Sequence, residues 1–291
     1  MKIRSECIPC LFERAKFECD LAFGDDETGK LKALSEIARF AAERIDEGTV
    51  PALIGTVRGR IIADLSGEAD CYKELKRESN RAGEEIIPAA KRFYSDSEDK
   101  LKALLMLAAA ANSMEYGVRG HSFDEKRFTS EFTNILGENL EGNLAAAKKV
   151  IQRFSKILYL LDNAGEVVID RFVIEELEAM GKEVIVSPKS VPVINDVTAE
   201  ELIELGFNSE KIVASGAFVG VSLDEAPEDF LNLLFNPEYL IVAKGMGNYE
   251  TLSEFENRLR GRLVYIFRAK CLSVAEGAGV TQGSLVITGL E

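Results

Sequence analysis

Two acid–amide pairs, Asp162-Asn163 and Asn195-Asp196, offer hard oxygen donors in a chain with little other metal chemistry at hand. Only one histidine, His121, occurs among its 291 residues, and tryptophan is absent. A multi-histidine zinc site or an imidazole triad is thereby nearly excluded, and oxygen ligands favour Mg, Mn or a similar ion. Each pair taken alone reads equally well as a turn with a helix N-cap, the position Asp and Asn prefer. The run Lys244-Gly245-Met246-Gly247-Asn248 is less easily explained that way. A lysine beside a Gly-x-Gly turn places a cation and open backbone amides where a phosphate can sit. It is not a P-loop, which needs four residues between its glycines and Lys-Ser/Thr after them.

These residues need elements to carry them. From Lys156 onward, short apolar runs at 157–161, 183–187, 211–215, 239–243 and 263–267 alternate with helical periodicity at 167–180, 198–205, 226–235 and 250–259. Buried strands separated by amphipathic helices predict β-α-β units and a mainly parallel open sheet, with 284–288 as a further edge strand. Residues 1–150 carry three- and four-residue apolar spacing and read as helices. The expected division is a helical N-terminal region, 1–150, followed by an α/β region, 151–291. Ligands of open α/β sheets bind beyond the carboxyl ends of the strands. The loops beginning at Asp162, Pro188, Ser215, Lys244 and Arg268 therefore share one rim, which gathers Asp162, Asn163, Glu166, Asp196, Ser215, Lys244, Asn248 and Lys270.

The bulk composition narrows the partners. A formal net charge of −14 leaves no basic surplus for a nucleic-acid backbone, although one lysine and one cation can still hold a single phosphate. No apolar run is long enough to span a bilayer, and charges begin at Lys2, so neither a membrane span nor a signal peptide is expected and the cytoplasm is the default. With five cysteines in this length, a disulfide scaffold is not expected. A haloacid-dehalogenase-type phosphatase needs a second acid two residues after the first, and Ala164 stands there. A methyltransferase motif needs Gly-x-Gly after its acid, and with only Gly165 present that reading is weakened but stays open.

In their order, Leu161-Asp162-Asn163-Ala164-Gly165-Glu166, Asn195-Asp196, Lys244-Gly245-Met246-Gly247-Asn248-Tyr249-Glu250 and Lys270-Cys271 resemble the damage-control phosphatase family, once catalogued as domain of unknown function 89. Cys7-Ile8-Pro9-Cys10 is similar to the mark of its small prokaryotic and archaeal branch. The resemblance implies an α/β/α sandwich behind a helical N-terminal region. It implies hydrolysis of phosphate monoesters on small metabolites, such as sugar phosphates or nucleotide-pathway intermediates. Asp162, Asn163 and Asp196 are then the ligands of a Mn, Ni, Co or Mg ion, Asp162 and Lys244 act in catalysis, and Lys244 holds the transferring phosphate. Ser215 and Asn112 are expected substrate contacts, and Glu166 and Asn248 are either substrate contacts or supports behind the ligands, with helix capping as their plain alternative. Asp70-Cys71-Tyr72, Lys76, Asn80 and Glu115 also occupy family-like positions, with Cys71, Ala111 and Glu115 departing from the usual Pro, Gly and Asp.

Cys7 and Cys10 stand one helical turn apart, so their thiols share a face if that segment is helical. They form a candidate thiol or metal pair, with a buried, inert pair as the plain alternative. The other functional class is therefore a metal- or redox-sensing binding protein that uses this Cys-x-x-Cys. His121, after Gly120, reads as a polar loop residue. Oligomeric state is left open.

Overall fold

The computed structural model describes residues 1–115 and 124–290; the expectation for His121 falls outside them. The chain opens with α1 (Cys7–Phe23), α2 (Glu27–Arg44) and α3 (Pro51–Ser66), then α4 (Lys73–Asp96), α5 (Lys100–Ala111) and α6 (Glu125–Ile135). A two-residue strand, β1 (Leu140–Glu141), and α7 (Leu144–Arg153) lead into β2 (Lys156–Leu160), α8 (Glu166–Ala179) and β3 (Glu183–Ser187). Next come α9 (Ala199–Glu204), α10 (Glu228–Phe235), β4 (Tyr239–Lys244) and α11 (Gly245–Leu252). The chain ends with β5 (Leu263–Arg268), α12 (Leu272–Ala278) and β6 (Leu285–Leu290).

The strands form one sheet in the order β1-β6-β5-β4-β2-β3. Every pairing is parallel except β5 with β6. Alternation along the strands sorts side chains onto two faces. Ile157, Tyr159, Leu240 and Val242 join one core with residues of α4, α5, α7 and α8. Leu158, Leu160, Ile241 and Ala243 join the other with residues of α10, α11 and α12. The result is the mixed α/β sandwich with a mostly parallel sheet. Ala15, Cys19, Ala33, Ile37 and Ile62 make a separate small core that ties α1, α2 and α3 together. Between α1 and α3, Arg58 donates to both oxygens of Glu18 at 2.6 and 2.7 Å, and Tyr72 Oη donates to Glu18 at 3.0 Å.

Three expected elements differ. Residues 211–215 are not a strand: Ser209–Lys211 is a short 3-10 turn, and only Ile212 makes a bridge, to Val186 at the sheet edge. Backbone bonds from Val213 N to Val186 O and from Ser215 N to Pro188 O run beside β3, but the chain turns away at Gly216, φ +104°, before a ladder forms. The strand near residue 284 is not at the edge, because β6 pairs with β1 as well as β5. Gly245-Met246-Gly247 is the first turn of a helix rather than an open Gly-x-Gly turn. Helix α5 packs on the sheet, with Leu104 and Ala108 in the same core as Ile157 and Val242.

Candidate functional site

Strand order fixes where a site can form. The chain leaves β2 through α8 for β3 on one side, and leaves β4 through α11 for β5 on the other. The carboxyl ends of the neighbouring strands β2 and β4 are thus a topological switch point, where a crevice opens between diverging connections. Asp162 follows β2 there, and Gly245 follows β4. Gly245 has φ +81°, and a Cβ at that position would overlap the Asp162 carboxylate. The aspartate therefore lies directly on the glycine backbone.

The second acid–amide pair arrives by a backbone bridge. Asn163 and Asp196 form an isolated antiparallel bridge, with Ala164 N donating to Asn195 O and Val197 N to Asp162 O, each at 2.9 Å. Ile194, just before this pair, has φ +52°, a left-handed conformation that a β-branched residue adopts only under constraint. These bonds set Asp162, Asn163 and Asp196 side by side on the wall of one cavity.

Behind them the polar groups are bonded. Asn112, at the end of α5, donates to Asp162 Oδ2 at 2.9 Å and to Glu166, while its Oδ1 accepts from Arg268 N. Asn163 N donates to Glu166 Oε1 at 2.8 Å, and Asn163 Nδ2 donates to Asp162 Oδ2 at 2.8 Å. Asn80 Oδ1 accepts from Gly165 N at 2.7 Å, holding the start of α8 against α4. Asn248 Nδ2 donates to Leu161 O and Lys244 O, locking the two strand ends together.

The cavity holds about 420 Å³, within the usual range for small-molecule sites. Its floor is the sheet rim, and its roof is α1 and α3. Cys7, Cys10, Leu11 and Arg14 of α1 line it. Their i, i+3, i+4, i+7 spacing is one helical stripe. Arg14 donates to Glu115 Oε1 at 2.8 Å and Asn195 Oδ1 at 3.2 Å, so the roof is tied to the rim. Lys270 also pairs with Glu115. Burial alone would raise the Glu115 carboxyl, but Lys270 and Arg14 outweigh it and hold it down at about 2.

Asp162 and Asp196 behave in the opposite way. Burial first, then repulsion from Glu166 and Asp196, pushes Asp162 well above the usual carboxylate range. Burial raises Asp196 to about 6, with Lys189 only partly opposing it. Burial likewise lifts Glu250, on the cavity wall, to about 7. Crowded, desolvated carboxylates favour a cation among them. Among the described residues no three His, Cys, Asp or Glu side chains form a metal-holding group by themselves. The set at hand is instead two carboxylates and an amide, oxygen donors suited to a hard divalent ion that keeps several waters.

The expected site residues are not all brought together. Asp162, Asn163, Asp196, Cys7 and Cys10 line the cavity. Glu166, Asn112 and Asn248 stand behind it, fully buried, and support the wall rather than facing a ligand. Ser215 is buried away from it, its Oγ accepting from Lys189 Nζ and donating to Pro188 O. Lys244 does not reach the cavity. Period-two alternation turns it to the α8 face, where its Nζ, with no exposure, donates to Glu166 Oε2 at 3.0 Å and Asp170 Oδ2 at 2.9 Å. A lysine so enclosed cannot hold a phosphate in this arrangement. Arg14 joins the site beyond the expected residues, and its helical spacing from Cys7 and Cys10 is the sequence signal for it. Asp170 is one helical turn after Glu166 on the buried face of α8 that carries Ile169 and Val173, a placement that calls for a buried cation partner.

Comparison with known proteins agrees with this fold. Residues 3–286 match the family model for the damage-control phosphatase ARMT1-like domain. An uncharacterized protein of Methanocaldococcus jannaschii, MJ0202, is 30% identical, over 99% of this chain and 95% of its own. A damage-control phosphatase of Archaeoglobus fulgidus is 29% identical over the full length of both. The crystal structure of a DUF89 family protein, PH1575 of Pyrococcus horikoshii, superposes with a TM-score of 0.86, at 26% identity and full coverage of both chains.

Proposed function

The chain belongs to the damage-control phosphatase ARMT1-like family, and from that premise we propose that it is a divalent-metal-dependent phosphatase acting on phosphate monoesters of small metabolites. The phosphatase role is supported by the family and by relatives named damage-control phosphatases. The observation that carries the metal is the meeting of Asp162, Asn163 and Asp196 at the switch point of the sheet. Those three side chains would hold a Mn, Ni, Co or Mg ion. When bound, such an ion supplies charge neutralisation and polarisation at a phosphoryl oxygen.

The residues around it supply the rest. Phosphoryl transfer asks mainly for positioning and charge stabilisation. Arg14, on the cavity wall, is the cation placed to meet phosphoryl oxygens, while Lys270, buried against Glu115, acts on the site through its charge. Arg14 thus takes the phosphate-holding role that the resemblance implied for Lys244. Glu250, on the cavity wall and raised by burial to about 7, can carry a proton near neutrality, as a general acid for the departing alcohol must. The α1–α3 roof closes the cavity around the alcohol part of the ester, so its residues set which metabolite fits.

Hydrolysis of p-nitrophenyl phosphate by chelator-stripped protein tests the reading. Turnover should be absent, return with added Mn²⁺, and fall by at least about 100-fold in Asp162→Ala. Metal-independent turnover, or full activity in Asp162→Ala, contradicts the assignment.

A further inference from the structure

The thiols of Cys7 and Cys10 have no part in the proposed hydrolysis, yet both lie on the cavity wall. Cys7 is the first residue of α1, and Cys10 is one turn later on the same stripe as Leu11 and Arg14. Cys7 is nearly buried, and its Sγ donates to Ser273 Oγ at 3.3 Å at the start of α12. Cys10 is half-exposed.

Residues i and i+3 of a helix have Cβ atoms about 5–6 Å apart. A disulfide needs about 3.5–4.5 Å, so the first turn must tighten by roughly 1–2 Å. That turn has the freedom to do so, because its first amides lack intrahelical partners. The chain already tightens there, with i to i−3 bonds from Cys7 N to Arg4 O and Ile8 N to Ser5 O.

From this placement we infer that Cys7 and Cys10 are an oxidisable dithiol whose closure to a disulfide lowers turnover in the adjoining cavity. The oxidant class is a peroxide. The half-exposed Cys10 sulfur attacks a peroxide oxygen, the O–O bond breaks, and a sulfenic acid and water form. Cys7 sulfur then displaces water from the Cys10 sulfur, forming the S–S bond. Two thiols and one hydrogen peroxide give one disulfide and two waters, with two electrons passing from sulfur to oxygen.

A third cysteine, Cys271, shares the cavity wall. Burial chiefly pushes its thiol up to about 12, so it stays protonated and is a poor nucleophile. Cys7 and Cys10, one turn apart on the same stripe of α1, are therefore the pair that the helix itself brings together. Closure has a path to the site. It removes the Cys7–Ser273 contact and shifts the α1 stripe that carries Arg14, whose bonds to Glu115 and Asn195 hold the roof to the rim.

The effect on turnover rests on the phosphatase reading, whereas the disulfide itself does not. Protein treated with stoichiometric hydrogen peroxide is digested for mass spectrometry, and Mn²⁺-dependent p-nitrophenyl phosphate hydrolysis is assayed before oxidation, after it, and after dithiothreitol. The expected result is an intrapeptide Cys7–Cys10 disulfide, a several-fold fall in turnover, and recovery on reduction. In Cys10→Ser the ratio of oxidised to reduced turnover should be near one, and in Cys271→Ser it should match the parent. A disulfide to Cys271, no disulfide, or a disulfide without change in an active protein overturns the inference. If no state hydrolyses the ester, the phosphatase reading fails, and the effect on turnover fails with it. The mass spectrum then still decides the dithiol.

Discussion

The Asp162 carboxylate rests on the α-carbon of Gly245, in a space that no larger residue at 245 leaves free. Gly245 also holds φ +81°, which L side chains rarely adopt. Gly245→Ala should therefore cost about 1–3 kcal/mol in stability and displace Asp162. Urea unfolding and turnover measured together check this. The fold should survive, while Mn²⁺-dependent hydrolysis falls much further than stability predicts.

Lys244 is predicted to matter for stability rather than for substrate affinity. Its charge compensates Glu166 and Asp170, all three without solvent exposure. Removing one partner of a buried ion cluster costs about 3–5 kcal/mol. Lys244→Met should lower the urea midpoint by a corresponding amount, with KM for p-nitrophenyl phosphate little changed in the folded fraction. A normal midpoint with a large rise in KM shows instead that the lysine reaches the ester.

Cation affinity should fall as the solution becomes more acidic. Asp162 is raised by burial and by Glu166 and Asp196, and Asp196 by burial to about 6. A carboxyl with a higher pKa in the folded chain favours its protonated form there. Its contribution to stability of the metal-free fold is present below the unfolded value of 3.8 and is lost as pH rises through about 6. A bound cation needs both carboxylates ionised, so binding expels protons and weakens below about pH 6. Calorimetric titration with Mn²⁺ in buffers of different ionisation enthalpy should show proton release at pH 6, less at pH 8, and a larger thermal shift at pH 8 than at pH 5.

Much of this was legible in the sequence because strands declare themselves by apolar runs. The runs at 183–187, 239–243 and 263–267 gave β3, β4 and β5 to within a residue at each end. The placement of Asp162 and Asp196 at one rim followed from the rule that ligands gather at strand ends. Two things were not legible. The 211–215 run looked like a strand because it borders β3 for a few residues, and only the turn at Gly216 ends the pairing. Lys244 looked like a ligand because a lysine after a strand has the same sequence whether it faces a cavity or a helix. Its direction was set by β-alternation together with the Glu166–Asp170 spacing on α8. The roof was harder still, since nothing local in α1 says that it crosses the rim of a sheet begun more than a hundred residues later.

The central claim is that Asp162, Asn163 and Asp196 hold one catalytically required divalent ion. Mn²⁺ occupancy by electron paramagnetic resonance, measured on the same samples as p-nitrophenyl phosphate hydrolysis, tests it most directly in the parent and in Asp196→Asn. The account predicts one tightly bound Mn²⁺ per chain, turnover proportional to occupancy, and loss of both in a variant that keeps its circular dichroism spectrum. Equal Mn²⁺ binding by Asp196→Asn, or turnover that persists in metal-stripped protein, would contradict it.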